Sequence, residues 1–569
     1  MRKERVRVVM GKNTNEPVDV VIVGVGASGG TAAKVLSERG LRVVGLERGP
    51  HLDHRQHFSG DELKFLNRGY LAPSPQLDPR TYRNDASEEA EVYPFSPCPQ
   101  LVGGGTVHWA GYFPRPFPDD FKLRSLHGAV ADSSLVDWPV GYDDLEPYLT
   151  KVEWEFGCSG LAGSSPHEPW RSKDYPTPPA RPTAFAKRFY RACERMGINA
   201  CPLPTALVTE PHKGRDTNNR TGLWNQYGDP TTTRSTTLTS FVPEALATGN
   251  FDLRAESLVR EITLRPDGRA KGVVYIDREG REVEQEAEVV ILCQGAIETA
   301  RLLLLSQSNR FPDGLANSSG LVGRNVTFHE WVCAVGLFDP GSDPLHGYTG
   351  PWVSGATFDF NRTDESRGHI GGGIVAASQV GQPINYIVPG RPTWGQALKD
   401  ADRDYFDRAV TIGFTAQDLP QHQNMVDLDP SVRDSNGLPV ARITYQSHRN
   451  DVAQIHWQVR KNTEILETMG AEKTLPVNFE RVTGNTCHQH GTARMGTDPG
   501  ESVVDPWCRT HDVDNLFLMD GSWFPTATGV NPTLTIMANA WRCCDHIADV
   551  RAKGRELEFE RREETADAR

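Results

Sequence analysis

The 569-residue chain has no apolar run approaching the ~18 residues that cross a bilayer, so no membrane span is expected. It has no CxxC pair either. Its 10 cysteines, at 98, 158, 193, 201, 293, 333, 487, 508, 543 and 544, follow no zinc or disulfide spacing and read as reduced thiols, with no metal site among them. Cationic excess is also missing. Against 61 Lys+Arg stand 74 Asp+Glu, a formal charge of −13, which argues against a general nucleic-acid binder. No internal period marks a solenoid or propeller. The basic opening MRKERVRVVMGKNTNEP lacks an apolar core long enough for a secretory signal, and a cytoplasmic protein is expected. With 38% hydrophobic and 24% charged residues the chain reads as soluble and globular. At about 150 residues per domain, its length allows three or four domains or two large ones.

The glycines are placed with purpose. VDVVIV (18–23) is a short buried strand that ends in GVGASGG, which supplies Gly24, Gly26 and Gly29. TAAKVLSERG then has helical spacing and stops at Gly40; VVGL (43–46) is a second strand that ends at Glu47. This is a β–α–β unit of about 30 residues, as a dinucleotide fingerprint requires. The first glycine allows the tight turn, the second lets a pyrophosphate approach the backbone, and the third lets helix pack on strand. Ala27 and Ser28 lie where the helix N-terminus faces the phosphates. Glu47 is placed to bind ribose hydroxyls and would repel a 2′-phosphate. At this point NAD and FAD are both open.

Residues 60–130 read as long connections around a second glycine run, VGGGTVHWAG (102–111), which holds Gly104 and His108. Between 251 and 293 three short β runs turn at PDG and REG, a meander. EVVILCQGA (288–296) is another buried strand running into glycine, followed by the helix IETARLLLLS. NLFLMDGSWFP (515–525) is a strand that ends at Asp520, and PTLTIMANAWRCCDHIADV is a closing helix in which Cys543 and Cys544 pack the core. The last residues are almost all charged and read as a tail. The Thr/Ser run at 231–240 reads as loop and helix cap.

NTCHQHGTARMG (485–496), NLFLMDGSWFP and GVNPTLTIMANAWR (529–542) resemble the glucose–methanol–choline (GMC) family of FAD oxidoreductases. So do the N-terminal β–α–β, VGGGTVHW, CQGAIETARLLLLS and VGRN (322–325), in the family's order along nearly the whole chain. The nearest branches are the gluconate and fructose dehydrogenase flavoproteins, with pyranose oxidase further off.

The resemblance implies an α/β fold: a Rossmann-like FAD-binding domain, mostly parallel sheet plus meander, with an inserted α+β substrate-binding domain. It assigns 15–60, 90–130, 240–330 and 480–552 to FAD, 131–239 and 331–479 to substrate, and 553–569 to the tail. The implied reaction oxidises a CH–OH group of a sugar, sugar derivative or polyol to a carbonyl, with hydride transfer to flavin N5. His488 is the implied base and Asn531 the group that positions the substrate oxygen; His490 is a second candidate base. Asp520 and Gly521 match the family's second flavin contact, Val259 its adenine contact, and Asn531, Pro532 and Thr533 open a helix toward the flavin. His108 has a covalent flavin link as its less favoured alternative. His329 and Trp331 read as structural. In the loop 214–233, Trp224 and Tyr227 stand about where some relatives carry cluster thiols, so no iron–sulfur cluster is expected. The electron acceptor is left open among oxygen, quinone and redox protein. The rival readings are a GMC-fold lyase without net redox chemistry, a noncatalytic flavin-binding subunit, and an NAD-dependent Rossmann dehydrogenase.

Overall fold

Val18–Val23 is apolar at nearly every position because it runs inside a parallel sheet, covered on both faces. On one side it pairs in parallel with Val43–Leu46, and on the other with the second half of Glu282–Leu292. The structure is a computed structural model that describes residues 16–58, 78–92, 99–217, 227–346, 350–379, 388–477 and 487–552. The charged tail 553–569 therefore lies outside the described residues.

The strands Phe251–Arg254, Val43–Leu46, Val18–Val23, Glu282–Leu292, Ala270–Ile276 and Leu258–Leu264 form one sheet in that order, and Leu516–Leu518 pairs with Glu282–Leu292 to make seven. The third meander run and the buried strand expected after it are a single strand of 11 residues. Its first half, EVEQE, pairs antiparallel in the meander and is exposed or half-buried except at Gln285; its second half, VVIL, is clamped between two parallel neighbours and is fully buried. Ala27–Glu38 packs on the closing helix Thr533–Ala552 and on Phe241–Ala247, so both chain ends share one core.

A second sheet is antiparallel, in the order Lys473–Val477, Glu330–Leu337, Ala409–Ala416, Gly373–Gln379, Val353–Thr357 and Ala200–Pro202. Helices Ala184–Met196 and Arg449–Thr468 bury its apolar face. The region 60–130 is not all connection. Thr81–Arg83 and Glu91–Val92 join Met425–Arg433 and Pro439–Thr444 in a four-stranded sheet. No helix among the described residues is long and apolar enough to cross a membrane.

Two sequence motifs far apart meet where these sheets adjoin. Thr492 N–H donates to Arg324 O (3.0 Å) and Gly323 N–H to Thr492 O, which joins VGRN to the HGT segment. Thr492 has φ +78, a rare value for a β-branched residue, and is held there by those two bonds and by its Oγ1 on Ala296 O (2.8 Å). A Cβ at Gly491 would lie 2.2 Å from Asn325 O, so only glycine fits that contact.

Candidate active site

The cradle begins at the glycine loop. Gly24, at φ +87, makes the turn, and a Cβ on Gly29 would stand 1.9 Å from Gly24 O. Gly29 thus sets helix against strand and does not face the cavity. Gly26 does face it, and the backbone of Gly104 comes close: a Cβ on Gly104 would lie 2.9 Å from Gly26 Cα. Helix Ala27–Glu38 has no acidic residue in its first turn, so its positive end is free to meet an anion. Thr237 Oγ1 donates to Gly26 O (3.1 Å), and its side chain packs against Gly30. The Thr/Ser run expected only to cap a helix therefore also braces this loop.

A cavity of about 300 Å³ runs from this loop toward His488. Gly24, Gly26, Ala27, Ser28, Glu47, Gly104, Val259, Asp520, Gly521, Pro532 and Thr533 all line it, as does His488, whereas Asn531, expected beside Pro532 and Thr533, is not among its lining residues. Glu47 is buried; its Oε2 accepts from Val25 N–H (3.0 Å) and its Oε1 from Gly49 N–H (2.9 Å). Burial raises its pKa, and those two bonds oppose the shift. Asp520 accepts from Gly295 N–H (3.0 Å), Thr299 Oγ1 (2.5 Å) and Ser522 N–H (2.9 Å), which ties the strand end to the helix Ala296–Leu305. At another part of the cavity wall, Glu298 sits among Arg48, Arg80 and Arg301. Burial raises its pKa, but the three guanidiniums outweigh that and hold it well below the usual carboxylate range. Sequence reading missed this cluster, because its members are scattered and follow no motif.

Dinucleotide chemistry fits these residues. A backbone approach free of side chains, a helix N-terminus without opposing carboxylates and an acidic strand end share one cavity. His108 is placed differently. It is half-buried, does not line the cavity, and packs edge-on against Phe58 with ring centroids 5.3 Å apart.

His488, His490, His329 and Asn531 converge. Thr327–Phe328 pairs antiparallel with Gln489–His490, and continuing that register by one residue sets His329 opposite His488. His329 Nδ1 lies 2.9 Å from His488 Nδ1, and His329 Nε2 lies 2.7 Å from Thr528 O. Asn531 Nδ2 lies 3.2 Å from His488 Nε2. Burial drives the His488 pKa down to about 4, and drives those of His329 and His490 well below 6.5. All three rings are therefore neutral near pH 7. His490 is fully buried behind this pair, stacked on Phe524 at 5.0 Å, and does not reach the cavity. His329, expected to be structural, instead touches His488. The only sequence signal was a histidine four residues past VGRN, and that means nothing until the pairing is known. The Trp331 side chain and Trp224 lie outside the described residues; Tyr227 is fully buried.

Comparison with known proteins agrees with this geometry. Two family models described as GMC oxidoreductase match residues 95–331 and 420–540. The 2-methyl-1,2-propanediol dehydrogenase of Mycolicibacterium austroafricanum is 33% identical over 550 residues, covering 94% of this chain and 95% of its own. The gluconate 2-dehydrogenase flavoprotein of Pantoea cypripedii is 31% identical over 571 residues, covering 92% of each. Among solved structures, a formate oxidase of Aspergillus oryzae shares the fold, with TM-score 0.68 at 17% identity over 95% of this chain and 99% of that one. The chain belongs to the GMC oxidoreductase family, whose members are FAD-dependent dehydrogenases and oxidases.

Proposed function

We propose that the protein oxidises a CH–OH group of a polyol, sugar or sugar derivative to a carbonyl, with His488 as base and Asn531 positioning the substrate oxygen. The single observation that carries this reading is the 3.2 Å pair of Asn531 Nδ2 and His488 Nε2 beside the dinucleotide cavity. The FAD-binding domain proposed for it comprises 15–60, 90–130, 240–330 and 480–552, and the substrate-binding domain 131–239 and 331–479.

FAD, when bound, supplies the acceptor for the hydride. The chain's own residues handle the proton and the oxygen. A substrate hydroxyl entering between Asn531 and His488 would donate to His488 Nε2 and accept from Asn531 Nδ2, replacing the bond between them. His488 Nε2 then takes the hydroxyl proton while the Asn531 amide hydrogen-bonds the alkoxide as charge develops. Asn531 Oδ1 is buried without a hydrogen-bond partner among the described residues. A second hydroxyl on the substrate would satisfy it, which favours a polyol or sugar over a simple alcohol. Relatives named for 2-methyl-1,2-propanediol and for gluconate support the same class. Turnover of such a panel with a dye acceptor should give a carbonyl product; no carbonyl from any member contradicts the reading.

Only neutral His488 can accept the proton, so activity is lost as pH falls through its pKa. With that pKa held down to about 4, kcat/KM should stay level from about pH 8 to about pH 5 and fall only below that. An acid limb near pH 6.5 would show that burial does not depress this group during turnover. The proposed flavin is noncovalent: acid precipitation should release all of it, whereas colour retained in the pellet would indicate a bond such as one through His108. The reading includes no iron–sulfur cluster, so iron and sulfide should be far below stoichiometric.

A further inference from the structure

The hydrogen bonds around His488 form a ring that starts and ends on one short segment. Asn531 and Thr528, three residues apart, supply its two ends, and His488 and His329 span between them. The segment itself is pinned. Thr528 Oγ1 donates to Val530 O (3.0 Å), Ile374 N–H donates to Gly529 O (3.2 Å), and buried Asp120 accepts from Gly529 N–H.

A carbonyl oxygen can only accept, so His329 Nε2 carries a proton and donates to Thr528 O. In the neutral ring His329 Nδ1 then has only a lone pair. The 2.9 Å contact therefore needs a proton from His488 Nδ1, which leaves His488 Nε2 unprotonated and turned toward Asn531. The tautomer that exposes a basic nitrogen to the substrate side thus follows from a residue that does not line the cavity.

We propose that His329 is a positioning residue that holds His488 in its Nδ1–H tautomer and stabilises the imidazolium formed when His488 accepts the substrate proton. This deepens the reading of His488 as base and rests on it. The proton passes from the substrate oxygen to His488 Nε2, forming an N–H bond as the O–H bond breaks. The Nδ1–H···Nδ1 bond to His329 strengthens as charge appears, and the Thr528 carbonyl supports it from behind. The arrangement does with a neutral imidazole and a carbonyl what a buried carboxylate does in a Ser-His-Asp triad.

The test compares His329→Leu, which removes the acceptor, with His329→Gln, whose amide can accept from His488 and donate to Thr528 O. The Leu variant should keep FAD and KM while the rate of flavin reduction falls about 100-fold; the Gln variant should recover at least a tenth of the wild-type rate. Equal loss in both, the signature of packing alone, would overturn the proposal, and so would wild-type rates in both. Nitrogen-15 NMR of the wild-type holoenzyme reads the tautomer independently of whether the variants fold. His488 should show a protonated Nδ1 and an unprotonated Nε2, and the reverse would overturn the proposal. His488→Ala, run in parallel, separates the two failures. If that variant reduces flavin normally, the base assignment is wrong; if it is inactive while His329→Leu is normal, only the His329 role is wrong.

Discussion

His488→Ala is expected to leave the flavin bound and to slow its reduction by substrate about 10³-fold, within the range for losing a positioned general base. His488 is one of many residues lining the cavity, which the glycine loop, Glu47 and Asp520 also line, so cofactor affinity should change little. His488 is hydrogen-bonded to Asn531 and His329, and its removal leaves those two partners room to accept a water. Stopped-flow reduction under anaerobic conditions is the measurement. A rate within tenfold of wild type would remove His488 from the chemistry and return attention to how the hydroxyl proton leaves. Asn531→Ala should be milder, since a positioning hydrogen bond is lost and the base remains.

Gly26→Ala carries the second large effect, and here the contrast with Gly29 matters. A Cβ on Gly29 would lie 1.9 Å from Gly24 O, so its replacement damages the fold itself. A Cβ on Gly26 would meet only Gly104 Cα, at 3.8 Å, which is ordinary contact. The Gly26→Ala protein should therefore fold with near-normal stability. It should nonetheless bind FAD about 100-fold more weakly, ~2.7 kcal/mol, because the methyl occupies the line of approach to the backbone. Fluorescence titration of the apoprotein with FAD, alongside thermal unfolding, measures both quantities. Unchanged affinity would mean that the pyrophosphate does not run past Gly26.

Much of the dinucleotide half was legible because its signals are local. Val18–Val23, the glycine turn, the helix ending before Gly40 (φ +85) and the closing helix each announce themselves within a dozen or so residues. Glu282–Leu292 was legible only in halves. Its period changes midway, since one half is a meander strand and the other lies inside a parallel sheet, and a sequence window sees two elements. The strands Thr81–Arg83 and Glu91–Val92 are too short to carry a pattern and exist only because residues some 350 further on complete their sheet.

The site divides in the same way. The cofactor side of the cavity rests on motifs with fixed spacing, and those residues do line one cavity. The histidine ring rests on a pairing between segments 159 residues apart, which no local spacing encodes. Hence His490, the second candidate base two residues from His488, sits buried against Phe524, while His329 stands at hydrogen-bond distance from His488. In a strand, residues two apart point to the same side; which of them reaches the cavity depends on depth, which only the packed fold supplies.

The most direct test of the central claim is an anaerobic titration of the purified holoenzyme with vicinal diols and sugars, followed by its visible flavin spectrum. The account predicts that at least one polyol or sugar bleaches the oxidised flavin in a single stoichiometric step and yields the matching carbonyl compound. A bound flavin that no such compound reduces, but that dithionite bleaches readily, would contradict it.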